Sequence, residues 1–159
     1  MHWTISDFVV FAAMLAVFGG AFVLLVRLRG GWSYRGGAAL AAAGGFFMVW
    51  VALAVGAMGE PGDAPDLAYA GVLLLGLIGA VGTRGRARGM ALTMVVMAAS
   101  LAAVALAALA IGVHRLPGMS VLKVLGINAV FALPFLGAAA LFQRAAGGIE
   151  ARARAIDAS

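Results

Sequence analysis

The chain has 159 residues, of which 65% are hydrophobic and 11% charged, with a formal net charge of +5. Soluble domains carry about 25% charged residues and could not bury so much apolar surface in one core of this size. The absence of cysteine excludes disulfides, thiolate metal sites and iron–sulfur clusters. Because the arginines lie between apolar runs, we expect them to contact anionic lipid headgroups of a bilayer and not nucleic acid. The composition therefore predicts an all-α, polytopic integral membrane helix bundle.

Five apolar runs follow one another along the chain, each near the length of about 20 residues that a membrane-spanning helix needs. They cover residues 8–26, 36–59, 67–83, 90–113 and 121–143. Thr4 and Asp7 have capping-box spacing before the first run, and Ser120 precedes the last run. Residues 144–159 form a basic tail, which we expect to be either a short helix on the membrane surface or disordered. The prediction is one domain of five transmembrane helices, residues 1–143, followed by a cytoplasmic tail.

The charges between the runs orient this predicted bundle. The only acidic cluster is the loop Gly59 to Asp66, and its side of the membrane holds just two basic residues, Arg115 and Lys123. The opposite side holds nine: Arg27, Arg29, Arg35, Arg84, Arg86, Arg88, Arg144, Arg152 and Arg154. Cytoplasmic loops carry an excess of Lys and Arg, so the counts predict an N-terminus outside and a cytoplasmic C-terminus. The six arginines of the two turns, Arg27 to Arg88, are the candidates for headgroup contact and for fixing this orientation.

Small residues recur at a spacing of four in the predicted helices. The sets are Ala41 and Gly45, Ala52 and Gly56, Gly76 and Ala80, and Ala99, Ala103 and Ala107. Small residues at this spacing let helices approach closely, which matters in lipid because apolar tails give no hydrophobic drive for helix association. The pattern indicates either a compact bundle within one chain or contacts with other membrane subunits or further copies of the chain.

The fifth run contains the most unusual intramembrane residues, Asn128 and Pro134. Pro134 has no N–H, so the carbonyl of Val130 loses its partner and the helix can kink. Asn128 requires a hydrogen bond to a neighbouring helix or to water, whereas Ser100, near the middle of the fourth run, can bond its own helix. These three residues are the candidates for a polar intramembrane site, although a transport path usually also contains ionisable residues at depth.

Two histidines and three acids fall on the predicted outer side, namely His2, His114, Glu60, Asp63 and Asp66. Imidazole and carboxylate groups can bind metals, so these residues are weak candidates for an outer-face metal site. They lack ligand-spacing motifs, and a haem would need axial ligands inside the bundle. We therefore predict no metal and no cofactor. Met90, Met94 and Met97 share one helix face, which is typical of packing.

Four segments resemble a known group of proteins. They are MHWTISDF at residues 1–8, WVALAVG at 50–56, APDLAYAGV at 64–72 and RGMAL at 88–92. Together they are similar to an uncharacterised family of small multi-pass inner-membrane proteins of proteobacteria. The resemblance implies a location in the bacterial inner membrane, and it implies no activity.

The sequence contains no catalytic constellation, so we do not expect an enzyme. The interpretation favoured by the short loops and small-residue faces is a non-catalytic accessory or structural subunit of a larger membrane complex or homo-oligomer. A small homo-oligomeric channel or transporter with a kinked fifth helix is one alternative, based on Asn128 and Pro134. A metal- or haem-associated membrane redox protein is the other, based on the two histidines.

Overall fold

The computed structural model describes residues 5–28, 31–54 and 64–157. These residues form five α-helices and one short 3₁₀ turn, and no strand occurs among them. The helices are α1 (Ile5–Leu28), α2 (Trp32–Ala54), α3 (Ala64–Gly82), α4 (Ala87–Ala110) and α5 (Val121–Asp157). The 3₁₀ turn, Val113–Arg115, lies between α4 and α5. The predicted all-α fold is confirmed.

Four of the helices, α1, α2, α4 and α5, are long and apolar enough to cross a membrane. The third helix has 19 residues in all, and its uninterrupted apolar part, Leu67–Gly82, is shorter than the other four. Length and composition thus make these four helices candidate membrane spans. The fifth span and the direction of insertion remain predictions.

Helix α5 is the centre of the bundle. It packs along α4 and α2, while α3 packs mainly on α4, and α1 packs on α2 at the periphery. Short connections join α1 to α2 and α3 to α4, as in antiparallel helix pairs. The arrangement brings the end of α1, the start of α2, the end of α3, the start of α4 and the end of α5 to one end of the bundle. We call this the basic end.

Two helix boundaries differ from the prediction in ways that affect this end. Helix α2 begins at Trp32 and not at residue 36, so Arg35 lies in its first turn. Helix α5 continues beyond residue 143 to Asp157, so the tail is an extension of α5 and neither of the two expected forms. At about 1.5 Å per residue, its 37 residues span about 55 Å, well above the 30 Å or so of hydrocarbon. The last turns of α5 therefore extend beyond the apolar part of the bundle.

The interior is filled by aromatic, methionine and alanine side chains. The largest fully buried ones include Tyr34, Tyr69, Phe131, Phe135, Phe142, Met48 and Met90. Phe131 stands edge-on to both Tyr69 and Phe47, with ring centroids 5.3 and 5.9 Å apart. Met90, Met94 and Met97 are all buried, which confirms the prediction that this stripe is a packing surface.

The predicted small-residue sets serve two different surfaces. A β-carbon added at Gly76 would lie 2.6 Å from the sulfur of Met97, and one added at Gly45 would lie 2.5 Å from the ring of Phe18. These glycines therefore allow α3 to approach α4 and α2 to approach α1. In contrast, Ala99, Ala103 and Ala107 are exposed on the outer surface of α4. This fourth set takes no part in packing the described helices against one another. In the remaining set Ala52 is half-buried, and Gly56 lies outside the described residues.

Candidate functional site

Asn128 is buried on the inner face of α5, with 3% of its surface exposed. Its side-chain Nδ2 donates a hydrogen bond of 2.9 Å to the carbonyl of Val124, one turn earlier in the same helix. The prediction of a bond to another helix is therefore wrong for Nδ2 of Asn128. The carbonyl Oδ1 is also buried, and no hydrogen-bond partner for it is found among the described residues. Asn128 thus brings one acceptor without a partner among the described residues into a mainly apolar interior.

Pro134 lies where α5 crosses α2. Helix α5 continues through it. The proline ring packs against Gly44 of α2, where a β-carbon would lie only 2.7 Å from the β-carbon of Pro134. Pro134 lies six residues after Asn128 on α5. At about 100° per residue, their side chains point in directions about 120° apart around the helix. The structure therefore gives Pro134 a packing contact and does not join it to Asn128 in one polar site.

Ser100, the third candidate, is half-buried on α4. Within the described part of the chain, its hydroxyl makes no hydrogen bond with its own helix or with Asn128. The intrahelical bond that Ser100 could make is therefore not observed. The three predicted polar residues do not form one hydrogen-bonded site.

Among the candidate metal ligands, His114 is the one whose side chain the structure describes. It lies in the 3₁₀ turn, and its Nδ1 is buried without a partner in the described ranges. His2, Glu60 and Asp63 lie outside the described residues, and for Asp66 only the backbone, in α3, is described. No group of three His, Cys, Asp or Glu residues placed to hold a metal occurs in residues 5–28, 31–54 and 64–157.

The predicted arginines of the two turns are exposed at the basic end, apart from Arg29, which lies outside the described residues. Arg84 follows α3 in a left-handed conformation, with φ of 50°, and Arg86 is the extended residue that precedes α4. Arg88 forms an ion pair of 3.2 Å with Glu150 on the extension of α5. Glu150 also lies 4.0 Å from Arg154, the partner expected from their spacing. The extension of α5 thus contacts the first turn of α4.

Tyr34 is an important residue of the basic end that the sequence did not indicate. Its hydroxyl donates a buried hydrogen bond of 2.7 Å to the carbonyl of Gly85, and its ring stands edge-on to Phe142 with centroids 5.0 Å apart. One side chain of α2 therefore contacts both the turn between α3 and α4 and helix α5. The only available signal was an aromatic residue among arginines and glycines, which is equally typical of a membrane-interface anchor.

The outer surface of α4 carries a continuous apolar face. Leu92, Val96, Ala99, Ala103, Leu106 and Ala110 follow one another at alternating spacings of four and three residues, and all six are exposed. This spacing keeps side chains on one side of a helix. Ala99 and Ala103 at its centre leave room for the backbone of another helix.

The candidate functional features are thus the basic end, the buried Oδ1 of Asn128 and the outward-facing alanine stripe of α4. Comparison with models of known protein families, with curated proteins and with solved structures finds no match for this chain.

Proposed function

We propose that the chain is a five-span membrane subunit without catalytic activity, which assembles with other membrane subunits or with copies of itself. In this proposal α3 is the fifth span, the N-terminus is outside and the basic end is in the cytoplasm. The location is the bacterial inner membrane. Support for the orientation comes from nine arginines at one end against Arg115 and Lys123 at the other.

The observation that carries the assembly is the exposed stripe Ala99, Ala103 and Ala107. A small-residue stripe that packs against no other described helix of its chain is available to a helix of another chain. Lipid tails are as apolar as leucine, so the attraction between two such helices comes from close van der Waals packing, which small side chains permit. The buried core of aromatic and methionine side chains supports a structural role for the rest of the bundle.

Ala103→Leu tests this proposal, because a larger side chain on an exposed position blocks approach of a partner without disturbing the bundle. We expect wild-type protein, extracted from its own membranes in mild detergent, to migrate as an assembly larger than the 16.0 kDa chain. The variant should fold and migrate as the single chain. Leu122→Ala, at an exposed position on α5 outside the stripe, is the control and should keep the assembly. A wild-type chain that is monomeric in the native extract contradicts the proposal.

A small channel or transporter is the second candidate, and the unpaired Oδ1 of Asn128 is the observation that favours it. A buried acceptor of this kind can bind a water molecule or a polar solute. Flux of small solutes into vesicles that contain purified protein, lost in Asn128→Leu while the fold is retained, would favour the channel over the structural subunit.

A further inference from the structure

A shallow apolar groove runs between α1 and α2 on the outside of the bundle. Its volume is about 270 Å³. Phe18, Gly19 and Phe22 line it from α1, and Ala39, Ala42 and Phe46 line it from α2. Its lining thus combines small side chains with phenyl rings. In a membrane this groove is open to lipid tails, so the shape fits a flexible apolar chain.

The face of α2 that lines the groove ends in two residues suited to the membrane surface. Trp32, Arg35, Ala39, Ala42 and Phe46 are separated by three, four, three and four residues, so they share one side of the helix. Trp32 is 89% exposed, and the side chain of Arg35 is also exposed. Tryptophan and arginine at this level are typical of contact with lipid headgroups. On α2 the groove therefore begins at Ala39, four residues or about 6 Å along the helix from the cationic Arg35.

The backbone adds to the positive potential at this point. The amide of Arg35 bonds to the carbonyl of Gly31, so α2 begins there, and its first turn contains no acidic side chain. The remaining amides at a helix start have no partner within the helix and favour a phosphate group. The positive helix start, the guanidinium of Arg35 and the indole of Trp32 thus stand at the mouth of an apolar groove.

We propose that this groove binds one anionic phospholipid, with its phosphate at Arg35 and the start of α2 and one acyl chain between α1 and α2. The charge at the mouth selects an anionic headgroup, and the apolar floor selects a lipid over a free anion. The inference rests on the proposed membrane bundle, but it concerns a different surface from the alanine stripe of α4.

Two neighbouring glycines of α1 provide a matched test. A β-carbon added at Gly19 or at Gly20 would meet nothing within 4 Å, so both positions have open space for the start of a side chain. Gly19 lines the groove, whereas Gly20 does not. Gly19→Leu therefore fills the groove, and Gly20→Leu adds the same side chain elsewhere on the same helix. Both changes also raise helix propensity, so both variants should fold.

The measurement is native mass spectrometry of detergent-purified protein, incubated with equal amounts of phosphatidylglycerol and phosphatidylcholine that carry the same acyl chains. Wild type and Gly20→Leu should retain one phosphatidylglycerol, and Gly19→Leu should lose it. Arg35→Gln should reduce the preference for phosphatidylglycerol about fivefold, the effect expected for one basic residue at a membrane surface. Arg152→Gln, at an exposed position on the extension of α5, should leave the preference unchanged.

Equal retention by the two leucine variants, or no headgroup preference in wild type, would overturn the proposal. A second measurement uses wild type alone: phosphatidylglycerol should raise the thermal midpoint, and glycerol phosphate should not. An equal shift with glycerol phosphate would reduce the site to an anion site and also overturn it. Failure of the assembly proposal can be distinguished from failure of the lipid proposal. Ala103→Leu should keep the lipid and lose the partner, whereas Gly19→Leu should lose the lipid and keep the partner.

Discussion

The hydroxyl of Tyr34, in the first turn of α2, donates a hydrogen bond of 2.7 Å to the carbonyl of Gly85, in the turn between α3 and α4. Both groups are buried, and 51 residues separate them in the chain. Gly85 itself has a φ of 64°, in the left-handed region that glycine accepts without strain. The bond therefore joins the two arginine-bearing turns of the basic end through a residue that carries no charge.

Tyr34→Phe should destabilise the bundle by about 1–3 kcal/mol, because it removes the donor and leaves a buried carbonyl without it. The edge-on ring contact with Phe142 is retained in this variant, so the hydroxyl alone is tested. Thermal unfolding in detergent, followed by circular dichroism, gives the comparison. A midpoint equal to that of wild type would show that water replaces the tyrosine at this carbonyl.

Gly44→Ala should destabilise the bundle by about 1–3 kcal/mol, because the added β-carbon meets the rigid ring of Pro134 at 2.7 Å and α2 must shift away from α5. Gly126→Ala on α5 is the matched control, because its β-carbon would meet nothing within 4 Å. The control should be neutral or gain up to about 1 kcal/mol from better helix propensity. The same unfolding assay compares both variants, and equal midpoints would mean that the crossing is looser than the structure shows.

The helices follow from the sequence because apolar runs of membrane length separated by glycine and arginine turns allow few other folds. Which small residues pack inside the bundle does not follow from the sequence. Gly76 packs on Met97, while Ala103 at the same kind of spacing faces outward, and the spacing is identical in both helices. Which face of an all-apolar helix is inside depends on its neighbours. The sequence of such a helix has no polar face to show this.

The residues of the candidate site were predictable by type and not by contact. Asn128 was identified as the buried polar residue of α5, but its bond to Val124 lies within its own helix. The basic end was predicted from charge alone. The pair Arg88–Glu150 could not be predicted, because it depends on α5 continuing past the end of its apolar run.

Asn128→Leu should leave the stability unchanged or raise it by about 1 kcal/mol, because it removes the unpaired Oδ1 and keeps the branched shape and the number of heavy atoms in the side chain. Asn128→Asp should be strongly destabilising, because a carboxylate in this position is buried without a counter-ion. Unfolding of the two variants in detergent tests this contrast. A clear loss of stability in Asn128→Leu would indicate that Oδ1 has a bound water or solute as a partner.

Truncation after Glu150 should change the stability by less than about 1 kcal/mol, because the described residues that it removes, 151–157, are all exposed. Truncation after Gln143 should cost more, because it also deletes the buried Ala146 and the ion pair of Glu150 with Arg88. Exposed ion pairs contribute about 0–1 kcal/mol, so most of the second effect should persist in high salt. Equal midpoints for the two truncated chains would show that the extension of α5 does not stabilise the bundle at all.

The most direct test of the central claim, a five-span bundle with the basic end in the cytoplasm, is labelling of single cysteines with a membrane-impermeant maleimide. The chain contains no cysteine, so each introduced thiol is the sole target. Gly62→Cys should react in intact bacterial cells, whereas Arg86→Cys and Ala155→Cys should react only after the membrane is permeabilised. Reaction of Arg86→Cys in intact cells would contradict the claim, because residue 86 is cytoplasmic only if α3 crosses the membrane and the N-terminus is outside.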